Sequence, residues 1–264
     1  MSRWIYATFI ILFGIFILVV SAILVLVGFS ALVYSASSIV APVVALGIGI
    51  MGISFFGRES FLKEDRYHTL NVWVAFGLIF FCLADITTIL VYMNENSAQI
   101  CFTIGLVQIP GLLLWSMGIV GYLKSLNSTL KLTEGTQLWL ALGVITTLTS
   151  LSLVVILAIL FPSRNLLSTI VSVPIIVVLG VIVCIISGTL WIFKDGYIAR
   201  PLLLLLFGVI LLFLRGVIWQ FEDYCSGNSF SQITAIESYL FVGASFLIAS
   251  KLNIIFEPSE GVRR

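Results

Sequence analysis

The chain has 264 residues, 61% hydrophobic and 9% charged, with a net charge of +1, and its mean hydropathy is +1.21. Soluble domains are roughly a quarter charged, so this composition excludes one and predicts an all-α integral membrane protein. The small net charge leaves no basic surface for nucleic acid. The single His and four Cys show no C-x-x-C or H-x-x-x-H spacing, so neither a metal nor another cofactor is expected. There is no P-loop, no G-x-G-x-x-G after a strand and no G-x-S-x-G elbow, so the expectation is a non-enzymatic protein.

A membrane-spanning helix needs ~20 mostly apolar residues. The first such stretch, 4–33, follows Arg3 and far exceeds the ~7–15-residue apolar region of a signal peptide, so it reads as a retained helix. Only "YSASS" (34–38) marks the break to the second stretch, 37–56. The charged segment "GRESFLKEDRYH" (57–68) then leads into 69–93, and "YMNENSAQIC" (92–101) into 99–123. The polar run "KSLNSTLKLTEGTQ" (124–137) precedes 138–161, Pro162 with Ser163, Arg164 and Asn165 marks a turn before 167–193, and 201–220 and 232–256 complete eight spans. No connection is longer than 124–137, which leaves no room for a soluble domain between spans.

Lys and Arg stay on the cytoplasmic side of short loops. With eight spans, both termini and the loops after spans two, four and six share a side that carries eleven of the thirteen basic residues. The opposite loops carry only Arg164, and Arg215 is inside a span. Both termini are therefore expected in the cytoplasm. The chain also repeats: "SSIVAPVVALGIGI" (37–50) echoes "STIVSVPIIVVLGVIV" (168–183), and "FGLIFFCLAD" (76–85) echoes "FGVILLFLRG" (207–216). The reading is two tandem four-helix transmembrane repeats, 1–123 and 138–256, joined by a cytoplasmic linker at 124–137 and followed by a short cytoplasmic tail at 257–264. An even number of spans per unit gives both repeats the same orientation, in parallel about an axis along the membrane normal.

Asp85, Arg215 and Glu237 are the charged residues inside spans apart from Lys251, which stands near the end of the last one and is counted with the cytoplasmic side. At ~1.5 Å per residue, Asp85 is ~24 Å up its helix, Arg215 ~21 Å up its own and Glu237 ~8 Å below the outer end of the last span. All three fall in the outer third, and the repeat brings Asp85 and Arg215 to nearly equivalent places with opposite charge. Ionisable groups at such depth pair, line a cavity or mark an ion pathway. Two readings stay open beside a pathway: an Asp85–Arg215 ion pair clamping the halves, to which Glu237 adds a second carboxylate, or an outward-open pocket in which Arg215 holds an anionic ligand.

At the outer face, Glu222, Asp223 and Tyr224 cluster in "QFEDYCSGNSF" (220–230), with cation binding as the minor reading. Cys101 and Cys225 occupy corresponding places in the two halves and make a candidate disulfide in an oxidising compartment. Cys82 and Cys184, within spans, are expected to fill the core, and His68 to sit at the interface. The loop 57–68 is a candidate docking point for a cytoplasmic partner.

The hairpin 84–125, with "AD" followed by Tyr92 and then "LLWSMGIVGYLKS" (113–125), resembles the membrane input domains of prokaryotic sensor proteins. Those stack seven or eight helices ahead of PAS, kinase or cyclase modules, and an acidic residue, an outer aromatic turn and a Trp- and Gly-Tyr-bearing helix recur there. Asp85, Tyr92, Trp115 and Tyr122 stand at such places. The second half departs from the pattern, with Arg215 and Gly216 in place of Ala84 and Asp85. The resemblance implies a sensor-like or accessory module in a prokaryotic plasma membrane, without an output domain after Phe256. Its partners would be the lipid bilayer with a lipid, a small anionic ligand or another membrane protein. A small-solute transporter or channel is the alternative, with a continuous polar track through the inner half of the bundle as its discriminating feature.

The orientation is tested by a Ser60→Cys variant on a cysteine-free background. A membrane-impermeant thiol reagent is expected to leave it unmodified in intact cells and to label it after permeabilisation; labelling in intact cells would reverse the topology.

Overall fold

The structure, a computed structural model, describes residues 3–57, 66–92, 97–130, 135–160, 166–194, 196–221 and 229–256. Eight helices account for nearly all of them, with no strand among the described residues: α1 (Arg3–Leu26), α2 (Ser30–Phe56), α3 (Arg66–Tyr92), α4 (Ser97–Leu130), α5 (Gly135–Leu160), α6 (Leu166–Ile192), α7 (Ala199–Phe221) and α8 (Ser229–Phe256). Each is long and apolar enough to cross a bilayer. In hydrocarbon every backbone N–H and C=O must find its partner within the chain, which a helix does within one segment. The protein is a polytopic helical membrane protein.

The chain turns between the first two helices at Gly28, not at "YSASS". Gly28 adopts φ 96°, a conformation open to glycine at little cost. Its N–H donates to Val25 O (3.1 Å) and the Phe29 N–H to Leu24 O (2.9 Å), the Schellman pattern that satisfies the last carbonyls of α1. The "YSASS" stretch stays helical because its hydroxyls fold back on their own helix. Ser35 Oγ donates to Ala31 O (2.9 Å) and Ser37 Oγ to Tyr34 O (3.1 Å). A serine satisfied this way gives the backbone no reason to leave the helix. The same holds past residue 123, where α4 continues through "KSLNSTL" to Leu130 and Ser128 Oγ donates to Ser125 O (2.7 Å). At ~51 Å, this helix outruns the ~30 Å hydrocarbon core.

Six helices close a ring in the order α2, α3, α4, α6, α7, α8, each packed on the next and α8 on α2. α1 lies outside the ring against α8 and more lightly α2, and α5 lies outside against α6. Burial follows this arrangement: 89% of the spanning window of α8 is buried, against 6% for α1 and for α5. Leu78, Phe81, Trp115, Leu212, Tyr239 and Phe246 fill the interior.

Lipid tails are as apolar as leucine, so helices in a bilayer associate by close packing and interhelical hydrogen bonds. Gly77 lets α4 approach α3: a Cβ there would collide with the Trp115 indole and lie 2.9 Å from Gly111 O. Trp115 Nε1 in turn donates to Val74 O (2.9 Å) on α3. Ser238 Oγ donates to Gly208 O and Ser245 Oγ to Pro201 O, each at 2.7 Å, tying α8 to α7. His68, at the start of α3, is buried, its ring 5.4 Å from that of Phe56. One sequence expectation changes here. Cys82 does fill the core, but Cys184 is exposed, its Sγ 3.6 Å from Thr149 Oγ1 at the α5–α6 contact.

Gly77→Ala is expected to destabilise the detergent-solubilised protein by ~1–3 kcal/mol through overpacking. Gly143→Ala on α5, where nothing lies within 4 Å of the added carbon, should be neutral or slightly stabilising. Thermal unfolding of the two variants side by side makes the comparison, and equal losses would refute the close α3–α4 approach.

Candidate functional site

Regular helical spacing places the polar residues of the ring. On α3, Leu78, Phe81, Cys82 and Asp85 fall on one buried face, on α7 Leu205, Val209, Leu212 and Arg215 do, and on α8 Ala235, Ile236, Tyr239 and Val242 do. Each set follows the three-to-four-residue spacing of one helix face. The faces are otherwise apolar and each carries one polar residue, Asp85, Arg215 or Tyr239, and the ring brings those three residues together.

Arg215 Nη2 donates to Asp85 Oδ1 at 2.5 Å. Tyr239 Oη donates to the other carboxylate oxygen, Asp85 Oδ2, at 2.8 Å, and accepts from Arg215 Nη1 at 3.2 Å. The three side chains close a triangle that ties α3, α7 and α8. Relative exposure is 2% for Asp85, 3% for Arg215 and 0% for Tyr239, so solvent screening is minimal and the pair lives or dies on its geometry. A buried ion pair recovers its desolvation cost only when further hydrogen bonds satisfy the remaining lone pairs. The phenol does so, using its proton on one partner and its oxygen on the other.

Beside the triangle a cavity of about 20 Å³ is lined by Phe81, Gln108, Ile175, Leu179, Leu212, Arg215 and Gly216. That is room for about one water molecule. Its polar walls are the Gln108 amide and the Arg215 guanidinium, and its other walls are apolar.

Glu237 does not join this group. It lies two residues from Tyr239, ~200° around the helix, and its Oε2 is 2.5 Å from the place a Cβ on Gly14 of α1 would take. Glu222, Asp223, Tyr224 and Cys225 lie outside the described residues, as do residues 58–65 between α2 and α3 and the side chain of Cys101, although its backbone belongs to α4. Among the described residues no group of His, Cys, Asp and Glu has the makings of a metal site. Sequence reasoning missed Tyr239 and Gln108. Aromatic and amide side chains are common in spans, and the one signal was their equivalent place in the two halves, 131 residues apart.

Asp85→Ala and Arg215→Leu are each expected to cost ~3–5 kcal/mol, because each leaves a buried charge unpaired, while the double variant recovers much of the loss. Tyr239→Phe should cost ~1–3 kcal/mol by removing both phenol hydrogen bonds. Thermal or denaturant unfolding in detergent measures the cycle; strict additivity of the two charge substitutions would rule out the contact.

Compared with known protein families, with curated proteins and with solved structures, the chain matches none of them.

Proposed function

We propose that this protein is a non-enzymatic membrane module, sensor-like or accessory, that recognises a lipid, a small anionic ligand or another membrane protein rather than moving a solute. The observation that carries this reading is the apolar layer inside the ring. Between Asn71 and Asp85 on α3, and along α7 up to Arg215, every buried side chain is apolar among the described residues. On α4 the Trp115 N–H at this level is taken up by Val74 O, and on α8 the Ser238 and Ser245 hydroxyls are taken up by α7 carbonyls. A transport path needs polar or hydrated lining across the membrane. Here the polar group near Arg215 has beneath it a hydrophobic plug in which Leu78, Trp115, Leu205 and Val242 take part.

The same reading includes the duplication and the orientation. Contacts among the six ring helices pair up under a shift of four, α3–α4 with α7–α8, α2–α3 with α6–α7, and α2–α8 with α6–α4, while α1, chiefly on α8, and α5, chiefly on α6, break the pattern. This supports tandem units 1–123 and 138–256 about an axis along the membrane normal. The repeats have diverged at their centre, where Gln108 and Gly216 stand 131 residues from Tyr239 and Asp85 respectively. The Lys/Arg distribution supports cytoplasmic termini, with the linker 124–137 and the tail 257–264 on that side, in a prokaryotic plasma membrane. The inner loop 57–68 remains the proposed contact for a cytoplasmic partner.

Purified protein in sealed liposomes, loaded with pH-sensitive and chloride-sensitive dyes, is expected to give the same leak rates as protein-free liposomes. Lipids and membrane proteins retained through purification from native membranes should include a reproducible companion. A protein-dependent flux that Asp85→Ala removes would replace this reading with the transporter.

A further inference from the structure

α1 touches the rest of the protein chiefly through α8. Near its inner end Ala7 packs with Ala244, Leu247 and Ile248, and Trp4 lies beneath the Arg200 guanidinium, 5.0 Å from the ring centre. Near its middle Gly14 faces Glu237. A Cβ on Gly14 would be 2.5 Å from Glu237 Oε2 and 3.2 Å from Leu240 Cδ1, so the missing side chain is what makes room for the carboxyl group. Glu237 is 4% exposed, and its Oε1 has no hydrogen-bond partner among the described residues. The chain has thus built a second buried carboxyl site, apart from the Asp85 triangle.

No described cation faces it. α1 offers Thr8, whose hydroxyl is spent on Trp4 O, and the phenol of Tyr6 toward its inner end. α2 contributes Tyr34 near its outer end and no acid or base among its described residues. On α7, Arg200 is stacked on Trp4 at the inner end of α1, and Arg215 is engaged by Asp85 and Tyr239 across the ring. On α8 itself the other titratable side chain described is Tyr239, which serves the triangle.

The depth rules out a group reaching to the headgroups. Glu237 is eight residues below Ser229, ~12 Å into the helix, and opposite the midpoint of the 24-residue α1. Beyond α1 lies lipid, since Phe9, Leu12, Phe13 and Phe16 are exposed on its other faces. An ionised carboxylate in that place would have no counter-charge among the described residues, and hydrocarbon strongly disfavours it.

We propose that the α1–α8 seam is a proton-binding site, with Glu237 held as the neutral carboxylic acid, Gly14 as the notch that receives it, and α1 as its removable cover. The ligand is a proton. The site has the composition of a proton-carrying carboxyl one helix away from lipid, and it is independent of whatever ligand or partner the ring recognises.

Dicyclohexylcarbodiimide tests it, because this reagent enters lipid and consumes a carboxylic acid. The acid proton moves to one carbodiimide nitrogen and the carboxyl oxygen bonds to the central carbon. The acyl group of the resulting O-acylisourea then migrates to nitrogen, leaving a stable N-acylurea with no atom lost. Full-length protein in liposomes is expected to gain one carbodiimide mass on the Glu237 peptide. The adduct should be missing in Glu237→Gln and weakened in Gly14→Val, and a membrane-impermeant carbodiimide should not form it. Infrared difference spectra of wild type against Glu237→Gln give a second, reagent-free reading, the loss of a protonated-carboxyl C=O band. Absence of that band from the wild type would overturn the proposal, as would failure of the Glu237 peptide to react or equal reaction with the impermeant reagent.

Discussion

A charge inside a bilayer must be met by another charge and by enough hydrogen bonds to replace the water it has lost, and the centre of this protein is arranged around that requirement. Asp85 and Arg215 are 130 residues apart in the chain and Tyr239 is on a third helix. Neither charge is tolerable alone in hydrocarbon and the buried phenol needs a partner for its O–H, so each fixes the rotation of its helix about its own axis. α3, α7 and α8 can turn little without opening the triangle. The phenol completes the ion pair, because a carboxylate bonded through one oxygen only would keep part of its desolvation cost.

Around that centre the helices have little to drive them together except contact. The glycine on α3 that seats Trp115 shows how contact is made without hydrophobic force. A shape this specific tolerates few added atoms. Among the described residues, the Trp115 N–H and the Ser238 and Ser245 hydroxyls at the level of the apolar layer are spent on neighbouring helices. This is the physical basis of the proposal of recognition over transport.

The two buried carboxyl groups show how the same residue chemistry takes different roles from its surroundings. Asp85 is inside the ring, where α7 presents a guanidinium and α8 a hydroxyl. Glu237 is on the outer side of α8, where α1 presents a glycine. One carboxylate is neutralised by a partner and the other, as proposed, by a proton, and α1, barely buried itself, is the cover of that second environment. The peripheral placing of α1 and α5 leaves both helices facing lipid over most of their surface.

Much of the architecture was legible in the chain. Eight apolar stretches of the right length appear as eight helices, because a bilayer leaves a hydrophobic segment no other way to satisfy its backbone. Element boundaries were less legible. Polarity ends a membrane span but not a helix, so α4 continues through "KSLNSTL" and α2 through "YSASS", while the true turn rests on one left-handed glycine, Gly28. Sequence alone located Asp85, Arg215 and Glu237 and their approximate depth, since depth is counted along a helix. It left open which of them meet, because that depends on the rotation of each helix and on the order of helices around the ring. Only the tertiary structure decided that α8 turns Tyr239 toward the pair and Glu237 toward α1, two residues apart and on nearly opposite faces.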